Sequence, residues 1–164
     1  MTEITMKFSV APAVLFLETQ LPEKVIGGLN EYLDARHNKG GEDFGNKLVG
    51  QISHGEQLKI DSEDPLITPF VNIVAYMSQE YIKQFCRTIG VGELRRTPHV
   101  HSLWSVHSYE RDYNPVHDHG VDTIMGLSFT TWTKIPPQIA EKDGYKASDL
   151  YNSSGIADGF LQFH

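Results

Sequence analysis

The spacing of apolar residues in this chain changes near Thr97. In two segments before Thr97, apolar residues recur every three or four positions, which is the spacing of one face of an α-helix. After it, β-branched and aromatic residues gather in runs typical of strands, such as Thr123 to Thr133. Strands and helices do not alternate as they do around a parallel, doubly wound sheet. The pattern therefore predicts an α+β fold in which helices come first and an antiparallel β sandwich or barrel follows.

Two amphipathic helices are predicted before this change. Pro22 suits a first helical turn and the apolar residues after it share one face, so Pro22 to Arg36 is predicted to be helical. For the second helix, Thr68 is the candidate cap and Pro69 suits the first turn. Its apolar residues then recur at helical spacing until Gly90, a residue type that commonly ends helices.

The first helix is predicted to lie between a β segment and a loop. Ile4 to Phe16 mixes β-branched and aromatic residues around Pro12, which favours one or two short strands at a sheet edge. His37 to Asn46 is rich in glycine and asparagine, a composition typical of a loop. Near the end of the chain, Phe160 to Phe163 is predicted to begin a further strand.

The length of 164 residues fits one domain with its own hydrophobic core. We expect a single domain over residues 1–164, in which residues 1–96 form a mainly helical support region and residues 97–164 form a metal-binding β region. The formal net charge of −7 comes from acidic residues scattered along the chain. Because a nucleic-acid-binding surface needs a basic stripe, no nucleic-acid partner is expected.

Cysteine content and hydropathy predict where the protein works. Cys86 is the only cysteine and so has no partner for a disulfide within the chain. The segment from Met1 to Thr19 has no signal-peptide pattern, and no apolar run approaches the roughly 20 residues that span a bilayer. We therefore expect a cytoplasmic protein without a membrane segment.

Histidine is concentrated in one part of the chain. Five of the eight histidines fall within 21 residues, namely His99, His101, His107, His117 and His119. In an extended strand, residues two positions apart point to the same face, so His117 and His119 can present both imidazoles to one metal ion. The side chain between them, Asp118, then points away. Because neutral imidazole is a common metal ligand, the spacing predicts a metal site at this pair.

An ordinary surface position is the alternative for these histidines. Strand-end histidines are common, and a metal site normally needs three protein ligands, of which this pair supplies two. His99 and His101 have the same spacing, but Pro98 before them indicates the exposed start of a strand. Metal binding by His117 and His119 is therefore a hypothesis that needs a third ligand.

Other reactive side chains support weaker hypotheses. Cys86 lies in the pattern of the second helix at a position expected to be half-buried, where a structural thiol is the expected role. Ser105 and Ser108 lie near histidines, yet neither occupies the strand-to-helix elbow with Gly-x-Ser-x-Gly that many serine hydrolases use. A hydrolase is therefore not predicted.

Three motifs in the second half of the chain resemble one family. They are WSVHSYER at Trp104 to Arg111, NPVHDHG at Asn114 to Gly120, and GLSFTTWT at Gly126 to Thr133. Together they resemble the metal-binding half of the 2-oxoglutarate- and iron(II)-dependent oxygenases, in particular those encoded by marine cyanobacterial phages. The resemblance implies N-terminal helices that lead into a double-stranded β-helix, or jelly roll. A phage-encoded protein of this kind would work in the cytoplasm of the host cell.

The resemblance also assigns roles to the histidine motif. In the family, a strand carries a histidine, any residue and then a second ligand, which places the metal on His117 and His119. The commonest family form has Asp or Glu as the second ligand, so Asp118 is kept as an alternative to His119. The implied cofactors are iron(II) and 2-oxoglutarate, and the implied reaction oxidises an unknown substrate and forms succinate and carbon dioxide.

The chain departs from the family pattern at its end. The family's distal histidine and its 2-oxoglutarate-binding arginine lie on strands beyond the one that Gly159 to Phe163 resembles, and His164 does not match the distal motif. We therefore expect an incomplete jelly roll, which leaves a strand edge exposed. Pairing of that edge with a second copy of the chain would complete the sheet and form a homodimer.

Two other functions stay open. A truncated, catalytically inactive oxygenase-like fold would act as a structural or interaction module, and the missing distal motif favours it. A cupin-like protein shares the barrel and the histidine pair, but it usually has a glutamate several residues later, and none follows His119 before Glu141. If the oxygenase hypothesis holds, the candidate pocket-lining residues are Asn114, Tyr109 and Trp132, each of which also has an ordinary structural explanation.

Overall fold

The structure is a computed structural model that describes residues 6–11, 14–47, 52–92, 94, 97–109, 112 and 126–135. The chain divides into two compact units, Met1–Ser128 and Phe129–His164, and each is described by itself. The prediction of a single domain stays a prediction. Of the helices in the described ranges, none combines the length and the apolar character needed to cross a bilayer.

The first unit begins with a β-hairpin. Strand β1 (Met6–Ala11) pairs antiparallel with strand β2 (Val14–Thr19), so that Met6 lies opposite Thr19. One or two short strands were predicted around Pro12, and the structure has two, of which β2 continues three residues beyond the predicted end. The run of β-branched and aromatic residues explains why both strands form here.

Helix α1 (Glu23–Lys39) confirms the first predicted helix and corrects its end. Pro22 directly precedes it, as expected from a residue whose fixed φ suits a helix start. The helix runs past Arg36 for almost one more turn and stops at Gly40, whose φ of 74° is left-handed. The prediction that the loop begins at His37 is therefore wrong. The helix continues because three basic residues in its last turn interact favourably with the negative end of the helix dipole.

Helix α2 (Thr68–Ile89) confirms the second predicted helix, ends before Gly90 as expected and begins one residue earlier than predicted. Pro69 lies in the first turn and Gly90, with a φ of 71°, ends the helix. The predicted cap is wrong, since Ile67 occupies the cap position and Thr68 is already helical. The Thr68 hydroxyl instead donates to the backbone oxygen of Asp64 at 3.1 Å.

A second antiparallel pair joins two distant parts of the chain. Strand β3 (Glu56–Lys59) pairs with strand β4 (Trp104–His107), with Glu56 opposite His107. Strand β4 confirms the strand predicted after Thr97, whereas β3 was not predicted. Residues 42–44 lie along the other edge of β3, since the Phe44 N–H donates to the Gln57 oxygen at 2.8 Å.

The core of the first unit lies between the two helices. Its buried members come from α1, from α2 and the residue before it, and from the residue before β4: Leu29, Tyr32, Leu33, Ile67, Phe70, Val74 and Leu103. Two tyrosine hydroxyls form hydrogen bonds between the helices and neighbouring segments. Tyr32 accepts the Asp61 N–H at 2.9 Å, and Tyr81 on α2 donates to the Leu15 oxygen of β2 at 2.9 Å.

The prediction of a fold with both helices and antiparallel strands is confirmed, but the predicted order of these elements and one predicted strand are wrong. The described chain is a mixed α and β structure with antiparallel pairing. Its strands lie before, between and after the helices, so the predicted order of helices first and strands later is wrong. The run from Thr123 to Thr133 was predicted to be strand-like; residues 123–125 lie outside the described residues, and Gly126 to Thr133 is described without a strand. Such composition alone does not form a strand, because strand preference depends on pairing and burial. The jelly roll stays a prediction.

Candidate functional site

The histidines predicted to bind metal fall into two groups. His117, His119 and the alternative ligand Asp118 lie outside the described residues, so the predicted metal site stays a prediction. His99 and His101 are both exposed, in keeping with the expected exposure of that segment. Within the described ranges, no group of three or more histidine, cysteine, aspartate or glutamate side chains is arranged to hold a metal ion.

A different group of side chains meets at the end of the second sheet. This imidazole cluster consists of His37, Glu56, His107 and Tyr109. Nδ1 of His37 lies 2.8 Å from Oε2 of Glu56, which forms a carboxylate–imidazole pair. The ring of His37 stacks on the ring of His107 with centroids 4.5 Å apart and an angle of 8° between the planes. Tyr109 completes the cluster, with its hydroxyl oxygen 3.4 Å from Nε2 of His37.

Three elements bring these side chains together. His37 is available because α1 continues one turn beyond its predicted end, and Glu56 and His107 are opposite one another in the β3–β4 register. The cluster was not predicted, because its members are far apart in the chain. A signal was present in the histidine density, which included His107, but His37 lies outside that segment.

The geometry of the imidazole cluster does not suit chelation of one metal ion by both rings. Nitrogen lone pairs lie in the plane of an imidazole ring, so two rings stacked face to face do not direct them at one ion. Glu56 accepts the hydrogen bond of His37, which limits the rotation of the His37 ring. The side chains of His37 and Glu56 are 31% and 43% exposed, so solvent reaches the pair.

Ser105 and Cys86 are both buried. Ser105 lies in the middle of β4 and is buried, and its hydroxyl oxygen is 3.1 Å from Nε2 of His107. Cys86 is only 1% exposed, which is deeper than the half-buried position predicted for it. Burial keeps solvent and reagents from the thiol, so the structural role fits this position.

Two of the three candidate pocket-lining residues are described. Tyr109 belongs to the imidazole cluster and is 55% exposed. Trp132, in the second unit, is 53% exposed. Asn114 lies outside the described residues. A pocket lined by these side chains therefore stays a prediction.

Asp112 lies beside the imidazole cluster and connects two distant segments. Its Oδ1 accepts the N–H groups of Ser53 at 2.8 Å and His54 at 3.1 Å, and its Oδ2 accepts the N–H of Tyr109 at 2.9 Å. The Asp112 side chain is 0% exposed. We call this arrangement of Asp112, the Ser53–Gly55 turn and Tyr109 the Asp112 clamp.

The clamp stabilises the charged form of Asp112. The N–H group of Tyr109 lowers the pKa of the Asp112 carboxyl far below its ordinary value. Burial of the carboxylate raises the pKa, but the N–H groups of the Ser53–Gly55 turn add to the lowering and outweigh burial. Hydrogen bonds to a carboxylate favour its ionised form, so the clamp holds a negative charge.

Acidification is expected to destabilise the protein through Asp112. Its pKa is lower in the folded chain than in the unfolded chain, where an aspartate titrates at about pH 3.9. The stabilisation is therefore present above that pH and is lost as the pH falls further. Below about pH 4, the Tm of the wild type should fall more steeply than that of Asp112→Asn.

The matched control for this titration is Asp61→Asn. The carboxylate of Asp61 accepts a local N–H, that of Glu63 at 3.0 Å, and no long-range hydrogen bond to it occurs among the described residues, so this variant should follow the wild type. Melting curves recorded by circular dichroism between about pH 7 and about pH 2 test the prediction. Parallel slopes for the wild type and Asp112→Asn would contradict it.

Comparison with known proteins leaves the family open. No protein-family model matches this chain, and no curated protein or solved structure matches it. The likeness to the oxygenases therefore depends on the three motifs between Trp104 and Thr133, and the function that it implies is a proposal.

Proposed function

We propose that this chain is a 2-oxoglutarate- and iron(II)-dependent oxygenase that acts in the cytoplasm on an unknown substrate. The observation that carries the proposal is the NPVHDHG motif at Asn114 to Gly120, flanked on both sides by further motifs of this family. Strand β4 supports it, because the first of these motifs begins with a strand in an antiparallel pair, as an antiparallel β fold requires.

The chemistry of the donor set fits iron(II). His117 would supply the first ligand, an imidazole, and either His119 or Asp118 would supply the second; imidazole and carboxylate groups both bind iron(II). When bound, iron(II) with 2-oxoglutarate and dioxygen supplies the oxidising power, with succinate and carbon dioxide as products. The chain's own part is to hold the metal, orient the substrate and limit the access of water.

An anaerobic titration with iron(II) and 2-oxoglutarate tests the proposal. A visible metal-to-ligand charge-transfer band is expected for the wild type and is expected to be absent from His117→Ala, which lacks a proposed ligand. His99→Ala is the matched control, because His99 belongs to an exposed pair with the same spacing and should leave the band unchanged. His119→Ala and Asp118→Ala, compared in the same titration, identify the second ligand.

Absence of the band has a clear consequence. If the wild type and His117→Ala are both folded by circular dichroism and neither shows the band, the oxygenase proposal is wrong. The inactive structural or interaction module then becomes the better explanation. Sizing chromatography at two protein concentrations would next show whether the chain forms the homodimer proposed to pair through a strand edge.

A further inference from the structure

A cavity of about 360 Å³ lies beside strand β3 in the first unit. Its wall is formed by the first three residues of β3, by Ile52 and Gly55 before the strand, and by Gly41, Asp43 and Gly45 on the segment that follows α1. We call this space the β3 cavity. Binding sites for small organic molecules usually have volumes of roughly 300–1,000 Å³. The β3 cavity therefore has room for a small organic group.

Gln57 in the wall of the β3 cavity has a buried oxygen without a partner. The residue is 5% exposed, and its backbone oxygen accepts the Phe44 N–H at 2.8 Å. Its side chain begins beside Gly45, since a Cβ added at Gly45 would lie 4.0 Å from Cβ of Gln57. Within the described part of the chain, its side-chain oxygen Oε1 has no hydrogen-bond partner. Most buried oxygens in native proteins are paired, so a donor from a ligand is the missing contact.

Two carboxylates add negative charge to the same wall. Oδ1 of Asp43 accepts the Gly45 N–H at 2.8 Å, and Oε2 of Glu56 lies 2.8 Å from Nδ1 of His37. Among the described residues, Oδ2 of Asp43 and Oε1 of Glu56 form no hydrogen bond. The described wall contains no lysine or arginine. Its side chains therefore offer hydrogen-bond acceptors and a negative charge.

We propose that the β3 cavity binds a small organic cation with several N–H donors, namely an ammonium or a guanidinium group. N–H groups of a cation form short, strong hydrogen bonds with carboxylates such as those of Asp43 and Glu56. They would also supply the donor that Oε1 of Gln57 lacks. This site is independent of the proposed oxygenase function, because none of its residues belongs to the proposed metal motif.

A calcium ion is the alternative ligand for a wall of oxygen acceptors. Two observations favour the organic cation. Within the described ranges, no three histidine, cysteine, aspartate or glutamate side chains are arranged to hold a metal ion. The volume of about 360 Å³ also falls in the range of small-molecule sites.

An NMR titration at constant ionic strength tests the proposal. Methylguanidinium and methylammonium are the two probes, and tetramethylammonium is the control that has the same charge but no N–H donor. Saturable shifts are expected at the Gln57 side-chain amide and at the Gly41 and Gly45 backbone amides. At least one of the two probes should bind with a Kd of about 1 mM or tighter. Tetramethylammonium and calcium chloride should bind more weakly.

Gln57→Met tests the buried oxygen, because methionine has nearly the same shape but cannot accept a strong hydrogen bond. The bound probe is expected to bind this variant at least about tenfold more weakly, since a charged donor loses its acceptor. The Tm of the variant should equal or exceed that of the wild type, because Oε1 has no partner inside the described protein.

Glu56→Gln tests the charge of the wall and should also weaken binding by at least about tenfold. Glu42→Gln is the matched control, because the Glu42 carboxylate lies outside the wall and contacts Nζ of Lys59 at 3.3 Å. This control should bind the probe like the wild type. Binding of a probe to the wild type and Glu42→Gln, with loss in the other two variants, would support the proposal.

Three results would show that the proposal is wrong. They are binding of neither probe, binding of tetramethylammonium or calcium as tight as that of the probes, and unchanged affinity in Gln57→Met. A lower Tm for Gln57→Met would also contradict it, because the amide would then have a partner within the protein. The charge-transfer band with iron(II) and 2-oxoglutarate tests the oxygenase proposal separately, so either proposal can fail while the other stands.

Discussion

Gly55→Ala is expected to lower the free energy of unfolding by about 3 kcal/mol, which is the upper range for overpacking a well-packed site. A Cβ at this position would overlap the carbonyl oxygen of His107 and approach Oδ2 of Asp112 to 2.8 Å. Neither atom moves easily, because His107 belongs to β4 and Asp112 belongs to the clamp. Urea unfolding followed by circular dichroism measures the effect.

Gly27→Ala is the control for this substitution. Gly27 lies in the middle of α1, and an added Cβ would meet nothing within 4 Å. Because alanine loses less backbone entropy than glycine in a helix, this change should stabilise the protein by about 0.5–1 kcal/mol. A loss below about 1 kcal/mol for Gly55→Ala would mean that the turn and β4 are not packed as closely as described.

Phe70→Ala is expected to lower the free energy of unfolding by about 3–5 kcal/mol. Phe70 lies in the first turn of α2, is 4% exposed and belongs to the core between the two helices. Removing its ring takes away buried apolar area and leaves a cavity that the surrounding side chains only partly fill. The midpoint of urea unfolding should fall while the protein still folds to the same helical content.

Tyr76→Ala provides the matched comparison on the same helix. Tyr76 is 45% exposed, so removing its ring forms no cavity in the core. A surface substitution of this kind should change the free energy of unfolding by less than about 1 kcal/mol. Equal losses for the two aromatic residues would contradict the placement of the core between α1 and α2.

The elements predicted correctly are those with local causes. The bounds of α2 follow from Pro69 at its start, Gly90 at its end and the apolar spacing between them. The hairpin follows from β-branched and aromatic residues on both sides of Pro12. Each of these signals acts over a few residues, so the amino-acid sequence contains it directly.

Strand β3 shows why other elements were missed. Its sequence, Glu56–Lys59, has no β-branched or aromatic residue and so has no strand signal of its own. It forms a strand because β4 pairs with it from a distant part of the chain. Residues 126–135 show the converse, since Gly126 to Thr133 has strand-like composition but is described without a strand.

The candidate sites also differ in whether the local sequence or the tertiary structure determines them. The spacing of His117 and His119 is a property of the sequence, and it determined the proposed metal ligands by itself. The imidazole cluster and the Asp112 clamp were decided by the tertiary structure alone. His37 meets His107, and Asp112 meets Ser53, only because two distant segments pair as β3 and β4 and helix α1 packs beside them. Contacts between distant residues depend on how the whole chain packs, and no local pattern encodes them.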